Sequence, residues 1–115
     1  MNTNDPHHRT VLLVDDEPKI LKSISMLLRA NGFDDVLTLD QSDAVLPLLR
    51  EQPIAVMVLD LTMPGLTGLE LLEKIAGELP TLPVIILTAA NDVDTAVNCM
   101  RHGAYDFLVK PVDKG

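Results

Sequence analysis

The sequence predicts an α/β fold built on a parallel sheet of five strands, and three observations predict it. Short continuous apolar runs recur at Val11–Val14, Ile54–Leu59, Val84–Leu87 and Phe107–Val109. Such runs read as strands buried on both faces, which is the pattern of a parallel sheet. Between them lie segments whose apolar residues recur at helical spacing, so strand and helix alternate strictly. Strict alternation implies right-handed crossovers and parallel neighbours. Finally, each run ends on a residue able to do chemistry: Asp15-Asp16, Asp60, Thr88 and Lys110. In open sheets of this kind ligands bind beyond the carboxyl ends of the strands.

The elements follow in order. Residues 1–9 are polar and read as a loose tail, with a single domain over residues 10–115. A first strand spans Thr10 to Val14. A helix from Pro18 to Ala30 turns Ile20, Leu21, Ile24, Leu27 and Leu28 inward, and Asn31-Gly32 stops it. Asp35 to Leu39 mixes polar and apolar residues, as an edge strand does. Ser42 can cap a helix that runs to Glu51, with Ala44, Val45, Leu48 and Leu49 inward and Pro47 near its first turn. The third strand is Ile54 to Leu59. Thr62-Met63-Pro64-Gly65 forms a loop into a helix bearing Leu69, Leu71, Leu72 and Ile75, which Gly77 and Pro80 end. A fourth strand spans Val84 to Leu87. Asp92 can cap a helix to His102, with Val93, Ala96, Val97 and Met100 inward, and Gly103 stops it. The last strand is Tyr105 to Val109.

Four helices on two sheet faces leave one face short. The chain thus reads as a longer domain cut before a fifth helix. The apolar surface left bare predicts lower stability than the full domain, or a homodimer through that face.

Composition narrows the function. The chain has 115 residues, is 47% hydrophobic and carries a net charge of -8. Phosphate contacts need clustered Lys and Arg, so direct nucleic-acid binding is not expected. Aromatics at 3% supply no base-stacking platform. Metal cations or basic partner surfaces suit the acidic balance better. No apolar stretch approaches a membrane span and no signal peptide is visible. The single cysteine, Cys99, suits a reducing cytoplasm and reads as inert. His7 and His8 lie in the tail and read as surface residues.

The strand ends then carry the chemistry. Carboxylates that converge repel one another, and a hard divalent cation relieves the repulsion; oxygen ligands suit Mg²⁺. Asp60 ends the central strand and is best placed as a nucleophile on phosphorus. Asp15 and Asp16 would hold the cation, while Lys110 and Thr88 would meet phosphoryl oxygens. Taken singly, each has a plainer reading. An Asp or Thr after a strand is commonly a cap or turn residue, and a Lys before Pro a solvated loop residue. Their joint occurrence on successive strand ends favours a site.

These residues resemble a known family. Val11 to Asp16 with Glu17, Asp60 with Met63-Pro64-Gly65, Thr88-Ala89, and Gly103 to Pro111 are similar to the receiver domains of two-component response regulators. The resemblance covers residues 11–112. It implies a three-layer flavodoxin-like fold with strand order 2-1-3-4-5. It implies Asp60 as acceptor of a phosphoryl group from a phosphohistidine of a sensor histidine kinase or phosphotransfer domain. Mg²⁺ would be held by Asp16 directly, by Asp15 partly through water, by Asp60 and by the backbone carbonyl of Thr62. Lys110 would pair with the phosphoryl group, and its bond to Pro111 would be cis. Thr88 and Phe107 would form the switch, Ala89 leaving room for the phosphoryl group. Such a domain is a phosphoacceptor rather than an enzyme, and a C-terminal output domain would read its surface around the fourth helix and fifth strand. The stretch from Gly103 to Asp113 resembles receivers fused to ATP-dependent transcription activators.

Two other readings compete. An aspartyl phosphohydrolase would place a second acid two residues past the nucleophile, where this chain has Thr62, and would need an inserted cap segment. A docking module that never takes phosphate would not need the intact set of Asp15, Asp16, Asp60, Thr88 and Lys110. Thr62 and Ala90 would flank the path of a water attacking the acyl phosphate. Neither has a side chain to orient it, which predicts slow autodephosphorylation.

Overall fold

A computed structural model of the chain describes residues 10–61 and 68–110. Five strands, β1 (Thr10–Val14), β2 (Asp35–Leu39), β3 (Val56–Asp60), β4 (Val84–Thr88) and β5 (Asp106–Val109), alternate with four helices. These are α1 (Pro18–Ala30), α2 (Val45–Glu51), α3 (Gly68–Glu78) and α4 (Val93–Arg101). All strand pairs are parallel, in the order β2-β1-β3-β4-β5. This is the flavodoxin-like arrangement that the resemblance implies.

That order dictates the layers. The chain steps from β1 outward to β2, then returns past β1 and steps the other way through β3, β4 and β5. With right-handed crossovers the first connection lies on one face and the next three on the other. The core divides accordingly. Leu12, Val14, Met57, Leu59, Val84 and Ile86 pack with residues of α2, α3 and α4. Val11, Leu13, Val36, Val58 and Leu87 meet Ile20, Leu21, Ile24 and Leu28 of α1. Among the described residues α1 is the only helix on that second face. Leu108 of β5 pairs in register with Leu87 and is 53% exposed.

Several boundaries and faces differ from the sequence reading. β3 starts at Val56 rather than Ile54, because ladder pairing with β1 begins at Val11–Val56. Asp60 and Thr88 are the last residues of their strands rather than the first residues beyond. β5 starts at Asp106, one residue late. Ser42 opens a short 3-10 turn instead of capping a helix, and Pro47 then falls at the third position of α2, where its missing N–H breaks no helical bond. Asp92 does sit at the N-cap of α4, but its carboxylate accepts from the Thr95 hydroxyl at 2.6 Å rather than from a backbone N–H.

Leu27 points outward, 63% exposed, at the margin of the α1 stripe. On α4 the buried stripe is Ala96 and Cys99, with Val97 and Met100 left exposed. Small residues let the helix axis approach the sheet, so the buried face is narrower than the apolar periodicity suggests. Burial pushes the Cys99 thiol up, as an inert core cysteine requires. The expected stops at Gly32 and Gly103 hold: both have positive φ, 96° and 112°, where a side chain would be strained.

Candidate functional site

Reversal of direction between β1 and β3 opens a crevice at their carboxyl ends. The register decides what lines it. Val14 pairs with Leu59, so the next residues, Asp15 and Asp60, stand side by side. Asp15 is held in line with β1 by its N–H on the Leu39 carbonyl, at 3.0 Å. On the other flank the Lys110 N–H donates to the Thr88 carbonyl at 2.7 Å, which extends β5 by one residue. Side chains alternate along a strand. Asp15, Asp60 and Lys110 therefore share the face of Leu13, Val58 and Leu108, while Thr88 shares the face of Ile86.

Lys110 gathers the acids. Its Nζ lies 2.8 Å from Glu17 Oε1, 3.2 Å from Asp60 Oδ1 and 3.3 Å from Asp15 Oδ2. Asp15 and Asp60 are each 1% exposed. Burial would lower the Lys110 pKa, but the hydrogen bond from its ammonium to Glu17 and the charges of Asp60 and Asp15 more than offset this and raise it. Asp15 is pushed up, first by burial and then by the Asp60 charge, against the N–H of Glu17 and the Lys110 ammonium. That N–H donates to Asp15 Oδ1 at 2.9 Å.

Asp15, Asp16 and Asp60 offer carboxylate oxygens that all lie within 4.8 Å of one another. Asp15 Oδ2 is buried and accepts no hydrogen bond, although it is ion-paired to Lys110. A buried oxygen without a donor beside two more carboxylates fits a divalent cation. Asp16 is exposed, so water can complete the shell.

Thr88 is fully buried, and its hydroxyl faces away from the acids. It donates to the Asp92 carbonyl at 3.0 Å, at the start of α4. Phe107 is half-buried against the core on the same side of the sheet. The neighbouring Tyr105 is 71% exposed. The Thr62 carbonyl, the Met63-Pro64-Gly65 loop and the Lys110–Pro111 bond lie outside the described residues.

The family model for the response regulator receiver domain matches residues 11–115. This chain belongs to the response regulator receiver family. Response regulator protein FleR of Pseudomonas aeruginosa is 40% identical over 103 residues, which are 90% of this chain and 22% of that protein. Transcriptional regulatory protein GlrR of Escherichia coli is 36% identical over 112 residues, 97% of this chain and 24% of that protein. The receiver thus spans about a quarter or less of these two relatives. Among solved structures, a response regulator receiver domain protein from Clostridium thermocellum matches with TM-score 0.82 at 38% identity, covering 91% of this chain and 84% of that one. The receiver domain of NtrX from Brucella abortus matches with TM-score 0.83 at 33% identity, covering 90% and 87%.

The receiver brings together the strand-end residues singled out from sequence: Asp15, Asp16, Asp60 and Lys110 at one crevice, with Thr88 and Phe107 across the sheet. Sequence reasoning missed the part Glu17 plays. Its carboxylate makes the shortest contact to Lys110. The signal was a third acid directly after Asp15-Asp16, but a partner 93 positions away is not readable from spacing.

Proposed function

We propose that this receiver takes a phosphoryl group on Asp60 from a phosphohistidine of a sensor histidine kinase or phosphotransfer domain. One observation carries the reading: a buried carboxylate at the central strand end, paired with a lysine and flanked by two further acids. In the transfer a carboxylate oxygen of Asp60 forms the new O–P bond as the donor's N–P bond breaks, and the released imidazole picks up a proton. Lys110 meets the charge on the phosphoryl oxygens. Mg²⁺, held by Asp15, Asp16, Asp60 and the Thr62 carbonyl, would neutralise carboxylate and phosphoryl charge together. The domain itself is a phosphoacceptor, not an enzyme acting on a separate substrate.

The readout runs through Thr88. Its hydroxyl exchanges the Asp92 carbonyl for a phosphoryl oxygen, and Phe107 turns into the space vacated. The surface of α4 and β5, where Val97, Met100 and Tyr105 are exposed, changes with it. An output domain reads that change, of the transcription-regulating kind that GlrR's name describes. A kinase that spends ATP works in the cytoplasm, and we place the receiver there. No helix among the described residues is long and apolar enough to cross a membrane.

Intact-mass measurement after incubation with acetyl phosphate tests the reading. Wild type is expected to gain one Mg²⁺-dependent phosphoryl adduct, and Asp60→Asn none. A folded wild type without an adduct, or a mutant that keeps it, overturns the assignment. The same adduct should decay slowly after donor removal, over minutes or longer. Thr62 and Ala90 lack groups to orient the attacking water, and a lifetime of seconds would contradict that account.

A further inference from the structure

We infer that Glu17 is a positioning residue: it keeps the Lys110 ammonium over Asp60 while a divalent cation occupies the acid cluster. The inference rests on the reading of Asp60 as phosphoacceptor. A lysine ammonium has three N–H donors, and here three carboxylates lie within 2.8 to 3.3 Å of it. Two of the three, Asp15 and Asp60, belong to the group that fits the cation. Once a doubly charged ion sits there, it shares their charge and repels the ammonium. Glu17 is not in that group, and its carboxylate keeps its full pull on Lys110.

The backbone makes Glu17 a firm anchor. It is the N-cap residue of α1, with its carbonyl accepting from the N–H groups of Ile20 and Leu21, both at 3.1 Å. Its own N–H is fixed on Asp15 Oδ1. Lys110 is fixed on the far side by its N–H to Thr88. The Glu17–Lys110 pair is therefore a strap from the end of β1 to the end of β5, crossing above Asp60 on β3. The Glu17 side chain is 58% exposed, so the strap is screened by water and salt and its effect is moderate.

Glu17→Gln leaves the backbone roles intact and removes the charge. With ¹⁵N-lysine labelling, the wild-type Lys110 ammonium is expected to give an exchange-protected NMR signal with and without Mg²⁺. In Glu17→Gln the signal persists without Mg²⁺ and is lost when Mg²⁺ is added. At saturating Mg²⁺, phosphorylation by acetyl phosphate slows about threefold to fivefold, the size of one solvent-exposed ion pair. The deficit closes in high salt, because screening brings wild type down to the variant; a merely structural role would not respond this way. A variant with wild-type rate and a Mg²⁺-resistant ammonium signal overturns the inference and leaves Asp60 standing. A wild type that takes no phosphoryl group overturns the acceptor reading, and the ammonium signal still decides whether Glu17 holds Lys110.

Discussion

Lys110→Met will cost the metal-free domain about 3 kcal/mol at neutral pH, the scale of breaking a buried ion pair from one side. Methionine replaces the aliphatic stem, so packing is largely kept. What goes is the positive charge between Asp15 and Asp60, both almost wholly buried. Asp15, already pushed up by burial and by the Asp60 charge, then loses the ammonium that opposes that shift. The folded state holds its proton more readily than the unfolded chain does, and stability falls as pH rises. In wild type the lysine's contribution has the same sign but lies in a far more alkaline window. The raised Lys110 pKa means that its contribution is complete below the ordinary lysine value of 10.5 and is lost only as pH climbs through the raised one. Urea unfolding at pH 5 and pH 8 separates the two. The variant should lose most at pH 8, and an unchanged midpoint there would sink the account.

Asp15→Asn should act in the opposite direction. Asp15 is buried, its pKa is raised, and its Oδ2 has no hydrogen bond. A raised carboxyl pKa costs the folded state above the ordinary value of 3.8, with the cost complete above the folded pKa. Asparagine is isosteric, keeps an oxygen for the Glu17 N–H and leaves Lys110 with Glu17 and Asp60. The metal-free variant is expected to gain about 1 to 2 kcal/mol at pH 7, roughly 4 °C of melting temperature per kcal/mol. The gain should vanish below pH 3.8, where the unfolded-state acid is protonated too. Mg²⁺ should raise the wild-type melting temperature and leave the variant's unchanged. A variant less stable than wild type without Mg²⁺, or one still stabilised by it, would show that Asp15 is not the unfavourably buried cation ligand proposed above.

Asp60, Thr88 and Lys110 were legible because buried strands make apolar runs, and the residue that ends each run stands at the sheet edge. Strand ends in a parallel sheet converge whatever the loops do, so position along the chain translated directly into position in the site. Helix faces translated less well. Periodicity placed Ala96 inward on α4 but could not say that Cys99 would share the contact and leave Val97 and Met100 in water. Leu27 sat at the margin of its stripe, where the presence of a neighbour decides burial. Glu17 was quoted as part of a motif, yet its grip on Lys110 depends on two side chains meeting across the ends of four strands. Such a meeting is a tertiary fact with no local signature.

The alternation of side chains at the sheet edge has a wider meaning. Asp15, Asp60 and Lys110 lie on one side of the sheet, and Thr88 and Phe107 on the other. On the reading proposed above the sheet is a partition, with the Thr88 hydroxyl at its edge between the acids and the readout. A change on the far side would then leave the proposed phosphate chemistry of the near side undisturbed. One scaffold can in this way serve many outputs, because sending and receiving are housed in separate rooms.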